Sequence, residues 1–123
     1  MKNQFCDSHL CKNYDEIIDI IKDIKPEYYE SAIKTTNLTN VHLCNLFIMK
    51  KSDFFKYCEF IYDVLFEFDR RHNFTSDDDV LNYVKNNTIT SNNFFYQSRL
   101  QGFLSERLGN MFFFNNFIKI KII

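Results

Sequence analysis

The segment that most constrains the fold is a long apolar stretch, residues 53–68, which contains neither glycine nor proline. Ser52 in front of it is a good N-cap, and the charge of Asp53 suits the positive end of a helix. The sequence therefore predicts a helix that begins at Ser52 and ends near Asp69. At about 100° per residue, its polar side chains form one narrow stripe and apolar ones cover nearly all the rest. Because such a helix is typically surrounded by other elements, we expect it at the centre of the fold.

Two short segments have the pattern of strands. The apolar run Leu43–Met49 is too brief for a free-standing helix and is followed by the polar residues Lys50 and Lys51, which favours a buried strand. Residues 117–123, FIKIKII, alternate in polarity, as an edge strand or a frayed tail would.

Three further helices are predicted. Residues 13–25 repeat isoleucine at helical spacing, with Asn13 as the expected N-cap, and Pro26 ends this helix and begins a second over about 27–35. The last helix is expected over about 94–110. The fold class is therefore predicted as α+β and mostly helical, with about four to five helices around one long apolar helix and one or two short strands. All 123 residues are expected to form a single domain.

The overall charge excludes some classes of partner. Fifteen basic and sixteen acidic side chains leave a net charge near −1, so nucleic acid is not an expected partner. We expect no transmembrane segment and no signal peptide, since no apolar run is long enough, and the expected location is the cytoplasm. Four cysteines without a CxxC pair are expected to be free thiols.

Two clusters have the residue types of metal ligands, but neither is predicted to bind a metal. Cys6, His9 and Cys11 lie close together, yet no second pair follows at zinc-finger spacing, so a loop with a hydrogen-bonded His9 is favoured. The triplet Asp77–Asp79 precedes an apolar helical pattern, so a solvated helix N-terminus explains it better than a metal site.

The segment 99–108 has the most suggestive pattern. The expected core face consists of Leu100, Phe103, Leu104, Leu108 and Met111. Arg107 projects into that face, where a buried guanidinium needs a carboxylate or carbonyl partner. Arg99, Gly102 and Glu106 form an adjoining stripe, in which the glycine leaves room for a ligand or another backbone. The alternative is a structural Arg99–Glu106 salt bridge.

Three segments together carry a resemblance to a known family: the Asn45–Met49 run, the helix FFKYCEFIYDVLFEF, and Gln101–Leu108 with the sequence QGFLSERL. They resemble the C-terminal part of a bacterial family of capsular and exopolysaccharide glycosyltransferases, which is usually labelled a domain of unknown function. The resemblance covers about residues 3–110 and implies the C-terminal portion of a GT-A-like fold. The resemblance implies that family members are longer, and we expect their nucleotide-binding half to be absent from this chain. The chain is therefore expected to be inactive alone, as a truncated gene, a C-terminal piece, or a split-gene product with a partner chain supplying the N-terminal half.

The resemblance also implies a reaction and candidate residues. The complete enzyme would transfer a sugar from a nucleotide-sugar to a saccharide hydroxyl in capsular, exopolysaccharide or lipopolysaccharide biosynthesis. The reaction would take place at the inner face of the membrane. Mn²⁺ or Mg²⁺ would be a cofactor of the complete enzyme, and no cofactor is expected in this chain. Glu106 and Arg107 are the expected catalytic residues, with Glu106 as base or positioner. Arg99, Asn45 and His9 are expected to bind substrate. The alternative is a non-catalytic helical interaction module, or a truncated remnant.

Overall fold

A computed structural model of the chain describes residues 1–41, 46–87 and 93–116. All regular elements within these ranges are helical: seven α-helices and a 3-10 turn at Pro26–Tyr28. The helices are α1 (Lys2–Ser8), α2 (Cys11–Ile24), α3 (Tyr29–Thr36), α4 (Lys51–His72), α5 (Asp77–Asn87), α6 (Phe94–Gln97) and α7 (Leu100–Asn115). Among these residues, no helix is both long and apolar enough to cross a bilayer.

The prediction of an α+β fold is wrong, because the described residues contain no strand and no sheet. Residues 46–49 of the first expected strand form no regular element, and Leu46 and Ile48 are 89% and 98% exposed. Phe47 and Met49 point the other way and pack on the core, which is the alternation of any extended segment. The rest of that candidate strand, with Asn45, and the whole of 117–123 lie outside the described residues.

The expectation of a central helix, apolar over nearly all of its surface and surrounded by other elements, is also wrong. One face of α4 enters the core through Phe60, Val64 and Phe68. The opposite face exposes an aromatic stripe, Phe55, Tyr62 and Phe66, whose members are 61%, 53% and 65% exposed. We call these three residues the α4 stripe. Helix α4 therefore lies on the outside of the bundle, and its composition did not indicate which apolar side is covered.

Helix α4 has clear end signals. It begins one residue before Ser52, with Lys50 as the N-cap and Asp53 in the first turn, as expected for favourable charge at the N-terminus. It ends at His72, and its C-cap Asn73 has a left-handed φ of 55°, a conformation that asparagine tolerates better than most residues.

The core is built from α2, α4 and α7. Helix α7 packs on α3 and α4, and α2 packs on α1, α3 and α4. The five residues predicted as the core face of the last helix are all buried, which confirms that prediction. Two details differ. A break at Ser98 and Arg99 separates α6 from α7, and Asn13 lies inside α2, where its buried Oδ1 accepts a hydrogen bond from the Tyr83 hydroxyl at 2.6 Å.

The N-terminal segment is ordered as helix α1 instead of the expected loop, and Cys6 and Cys11 form a disulfide across the α1–α2 turn. The prediction of free thiols is therefore wrong for this pair, whereas Cys58 is free. Such a bond fixes the turn that carries His9, so α1 is held on the bundle by a covalent link as well as by the burial of Phe5.

We expect the double substitution Cys6→Ser, Cys11→Ser to lower the free energy of unfolding by about 2 kcal/mol, because the bond closes a short loop in the unfolded chain. Urea unfolding followed by circular dichroism measures the change, and a reducing agent should reproduce it in the unsubstituted protein. A stability that does not respond to reductant would contradict the disulfide.

Candidate functional site

Four of the five predicted site residues lie at the junction of α1, α6 and α7. Arg99, Phe103 and Arg107 follow one another at intervals of four residues, so they share one face of α7, and Glu106 lies beside Arg107 on the same face. Helix α1 covers this face with Phe5 and brings His9 onto Phe103. We call His9, Arg99, Phe103, Glu106 and Arg107 the junction site. The fifth predicted residue, Asn45, lies outside the described residues.

Arg107 is the buried charge of the junction site, with a side chain only 2% exposed. Its Nη1 donates to the Phe103 carbonyl at 3.1 Å and to Glu106 Oε2 at 3.0 Å, and its Nη2 donates to Gln4 Oε1. The guanidinium carbon also lies 5.2 Å from the centre of the Phe5 ring, within cation–π range. The prediction that Arg107 needs a carboxylate or carbonyl partner is confirmed, since it has both.

The electrostatics of this pair favour a charged Arg107 with Glu106 as its counter-ion. Burial lowers the pKa of the Arg107 guanidinium, and the neighbouring Glu106 carboxylate raises it. An arginine retains its charge even when it is buried. Glu106 is 26% exposed, so its carboxylate reaches from the buried cation to the surface. The pair therefore places an oriented carboxylate at the rim of the junction site.

His9 joins α1 to α6 and α7. Its ring stacks on Phe103 with 4.0 Å between ring centres, and its Nδ1 lies 3.0 Å from Gln97 Oε1. The amide of Gln97 also donates to the Ser8 carbonyl at 2.9 Å, which fixes its oxygen toward the histidine. Because that oxygen can only accept, Nδ1 is the donor, and the neutral ring has its lone pair on Nε2. The prediction of a hydrogen-bonded His9 is confirmed.

Burial lowers the pKa of His9 below its ordinary value, the hydrogen bond to Gln97 raises it, and the charge of Arg107 lowers it further. The net direction is downward, so His9 is neutral at pH 7. A neutral imidazole beside a buried guanidinium avoids the repulsion that two cations would produce.

Arg99 lies at the exposed edge of the junction site. Its guanidinium is 5.7 Å from the centre of the Phe103 ring and 6.0 Å from that of Tyr96. The alternative of an Arg99–Glu106 salt bridge is not what forms, because Glu106 binds Arg107 and Arg99 lies over the two rings. Gly102 lines a groove between α4 and α7, and a Cβ there would meet nothing within 4 Å.

The acidic triplet is explained by helix capping. Asp79 Oδ2 accepts from the backbone N–H of Thr75 at 2.8 Å and from that of Ser76 at 3.1 Å, and these bonds lower the pKa of Asp79. Among the described residues, no group of three His, Cys, Asp or Glu side chains could hold a metal ion. The catalytic Mn²⁺ or Mg²⁺ that the resemblance implies thus finds no fitting ligand set in this part of the chain.

The profile of the family described as "Domain of unknown function (DUF4422)" matches residues 1–116. The chain belongs to this family. The match includes every residue of the junction site, and the family description assigns no activity. No curated protein and no solved structure gives a significant match to the chain.

Sequence reasoning missed three contributors to the junction site: Gln4, Phe5 and Gln97. Gln4 and Phe5 lie in a segment interpreted as an irregular loop, and Gln97 lies in what was expected to be a continuous helix. No local pattern indicates these contacts, because their partners lie far away in the chain; Gln97 and His9 are separated by 88 residues.

We expect the two members of the charge pair to respond unequally to substitution. Glu106→Ala leaves Arg107 buried without a counter-ion, so the free energy of unfolding should fall by about 3 kcal/mol. Arg107→Met replaces the guanidinium with an apolar chain and leaves a carboxylate that water can reach, so stability should change by less than about 1 kcal/mol.

Urea unfolding of both single variants and of the double variant tests this asymmetry. In the double variant the loss of unfolding free energy caused by Glu106→Ala should largely disappear, because no buried guanidinium is left without a counter-ion. Equal losses in the two single variants would contradict a buried charge at Arg107.

We expect the low pKa of His9 to make the fold less stable in acid. The unfolded chain, in which this histidine has its ordinary pKa, binds more protons than the folded one. The contribution of His9 is therefore fully present above about pH 6.5 and is lost as the pH falls below that value. His9→Gln, which can still donate to Gln97, should flatten the decline in the free energy of unfolding below pH 6.5, and an identical pH profile in the variant would exclude this origin.

Proposed function

We propose that the chain is the acceptor-side, C-terminal part of a glycosyltransferase that transfers a sugar from a nucleotide-sugar to a saccharide hydroxyl, in capsular, exopolysaccharide or lipopolysaccharide biosynthesis. The observation that carries the proposal is the Glu106–Arg107 pair, in which a buried cation holds a partly exposed carboxylate. The resemblance of the QGFLSERL segment to glycosyltransferase sequences supports it, and this segment lies within the matched family region.

Glycosyl transfer to a hydroxyl needs a base or a positioning group for the acceptor, since the hydroxyl must lose its proton as the new bond forms. In the proposal Glu106 takes this role through its exposed side. Arg107 is 2% exposed and cannot touch an acceptor, so it acts as a positioning residue that fixes the Glu106 carboxylate. One carboxylate oxygen is occupied by the guanidinium at 3.0 Å, and Oε1 is the oxygen proposed to meet the hydroxyl.

The surroundings of Glu106 provide the groups proposed to bind the saccharide. Arg99 is exposed and lies over the ring of Tyr96, which is 45% exposed. An aromatic face beside a cation suits a sugar ring, which has apolar C–H faces and hydroxyls at its edge. In the proposal His9 contributes by holding the Phe103 ring in place. The role of Asn45 in substrate binding stays a prediction.

The donor side of the reaction is proposed to come from elsewhere. No cluster of metal ligands occurs among the described residues, so no step of the proposal uses a metal ion of this chain. We propose that a partner chain supplies the nucleotide-sugar-binding half and that this chain is inactive alone. We propose that the reaction takes place on the cytoplasmic side of the membrane, with nucleotide-sugars as the donors.

We expect Glu106→Gln to lower the rate of sugar transfer about a hundredfold or more in the complex with the donor-side partner, because a positioned base contributes about 10²–10⁴ in rate. Transfer of a radiolabelled sugar to an acceptor saccharide measures it. Glu30→Gln on α3, which removes an exposed carboxylate paired with Lys34, is the matched control and should leave the rate unchanged.

An unchanged rate in Glu106→Gln would reduce the Glu106–Arg107 pair to a structural ion pair. Calorimetric titration with nucleotide-diphosphate sugars, first with the chain alone and then with the partner, tests whether donor binding requires the partner chain. The proposal requires binding in the mixture only, and binding by neither preparation would contradict it.

The alternative function is a non-catalytic interaction module, and the α4 stripe is the observation that favours it. Three aromatic side chains, each more than half exposed, lie along one face of a 22-residue helix. A second aromatic set, Tyr28, Tyr29, Phe112, Phe113 and Phe114, is mostly covered: Phe112 is buried, Tyr28, Tyr29 and Phe113 pack on the core, and Phe114 is 43% exposed. Binding of a partner chain without any transfer activity would favour this alternative.

A further inference from the structure

Arg99 is an arginine whose charge no carboxylate compensates. The chain has four arginines, and Arg70, Arg71 and Arg107 each form an ion pair with a glutamate, at 2.7, 2.9 and 3.0 Å. All sixteen acidic side chains belong to residues that the structure describes, and none of them pairs with Arg99. Because His9 is neutral, two guanidiniums and one carboxylate leave the junction site with one positive charge.

Two aromatic rings hold the Arg99 guanidinium in place. Its central carbon lies 6.0 Å from the centre of the Tyr96 ring and 5.7 Å from that of Phe103, and His9 stacks on both rings. A cation–π contact uses the charge of the guanidinium and not its hydrogen bonds, so N–H groups of this exposed side chain stay available. A planar fork of donors held in this way can bind two oxygens of one anionic group with a small loss of side-chain freedom.

Glu106 lies on the same side of α7 as Arg99. The backbone N–H of Phe103 donates to the Arg99 carbonyl at 3.2 Å, so Arg99 is already in the helical register of α7. From Arg99 to Glu106 the helix turns by about 700°, which is about 20° short of two full turns, and it advances about 10 Å. An exposed cation and a partly exposed carboxylate therefore face the same way, two turns apart.

Gly102 keeps the helix surface low between these two side chains. It is exposed, and a Cβ there would meet no atom within 4 Å. Gly109, in contrast, would place a Cβ 3.5 Å from the Tyr57 hydroxyl oxygen, so it belongs to the packing of α7 on α4. Glycine weakens a helix interior, and helix packing does not account for Gly102. Room for a ligand to approach the backbone does account for it.

We propose that the saccharide acceptor is acidic. An anionic group of the acceptor binds the Arg99 guanidinium, the saccharide lies over Gly102, and the accepting hydroxyl meets Glu106. Arg99 is then the residue that selects the acceptor. This inference rests on the proposed transfer function, for which it names the class of acceptor. The anionic group is a carboxylate or a phosphate, since the guanidinium fork fits both.

An array of matched oligosaccharides tests the class of acceptor without any transfer reaction. In each pair one member carries a uronic acid or a sugar phosphate, and the other carries the corresponding neutral sugar. The purified chain should bind acidic members about tenfold more tightly than their neutral partners, because hydrogen bonds to charged groups are stronger than neutral ones. The series that binds, uronic acid or phosphate, identifies the anionic group. Equal binding within the pairs, or binding of no acidic member, would overturn the proposal.

Substitution of Arg99 tests its role in this selection. Arg99→Gln should weaken binding of the acidic oligosaccharides about tenfold. Arg99→Lys keeps the charge but not the planar fork, so it should recover only part of the loss. The matched control is Arg70→Gln, which removes another exposed arginine, on α4, and should leave the affinity unchanged. Circular dichroism checks that each variant is folded. Undiminished binding by Arg99→Gln, or an equal loss in Arg70→Gln, would overturn the proposal.

Ionic strength gives a readout that a purely structural role of Arg99 would not change. The affinity for acidic oligosaccharides should fall as sodium chloride is raised from about 0.02 to about 0.5 M, because salt screens exposed charges. In Arg99→Gln this dependence should be flatter. The same dependence on salt in both proteins would contradict a contact between Arg99 and the anionic group.

Transfer kinetics in the complex with the donor-side partner separate this inference from the proposed function. Arg99→Gln should act mainly on the KM for an acidic acceptor and Glu106→Gln mainly on kcat. Binding of acidic oligosaccharides through Arg99 without any transfer would contradict the proposed function and support the acidic site. Transfer that needs Glu106 but proceeds equally well with neutral acceptors would support the proposed function and overturn the acidic acceptor. Binding of a nucleoside diphosphate through Arg99, and of no acidic saccharide, would also overturn it.

Discussion

The buried guanidinium of Arg107 is the interaction on which the junction of the two ends of the chain depends. It binds Gln4 and lies over Phe5 on α1, and it binds the Phe103 carbonyl and Glu106 on α7. A cation in this position needs all of these partners, since desolvation of an unpaired charge costs several kcal/mol. The requirement fixes how α1 lies on α7, and thereby places His9 on Phe103. One charge thus links both helices at the surface that they share.

Aromatic packing supplies the remaining cohesion of the bundle. Phe112 of α7 contacts the rings of Tyr28, Phe60 and Tyr57, which come from the 3-10 turn and from α4. A second group, His72, Phe74 and Tyr83, closes the other end of α4 against α5, and His72 also binds Glu16 of α2 at 2.7 Å. Large rings bury much apolar area with few rotatable bonds, which suits a chain with 15 phenylalanines and 7 tyrosines. The same abundance leaves rings over for the exterior, as the α4 stripe shows.

The parts that could be predicted are those governed by local patterns. Helical periodicity gave α2, α4 and the buried face of α7, and the need to pair a buried charge gave the partners of Arg107. Helix α1 was missed because it has seven residues and one fully buried side chain, Phe5, so distant contacts stabilise it instead of its own sequence. The strand prediction was wrong because an apolar segment becomes a strand only when another segment pairs with it through backbone hydrogen bonds.

For the candidate site, the sequence predicted the identities of His9, Arg99, Glu106 and Arg107 but not their arrangement. Glu106 forms its ion pair with Arg107 instead of Arg99, and this choice depends on the break before Leu100 and on the position of α1. The disulfide could not be foreseen either, because spacing alone does not show that a turn brings two cysteines together.

The contact between α1 and α7 also has a consequence for biosynthesis. Gln4 and Arg107 are separated by 103 residues, so α1 is made long before its partner exists. At about 5–20 residues per second, the ribosome needs roughly 5–20 seconds to reach α7 after α1 has been synthesised. During that interval Phe5 can pack on Tyr14 of α2, but the α7 side chains that cover Phe5 and His9 are still missing. The nascent chain therefore carries a first helix that only α2 covers until the last described helix emerges, which makes that interval the period in which a chaperone would find a binding site.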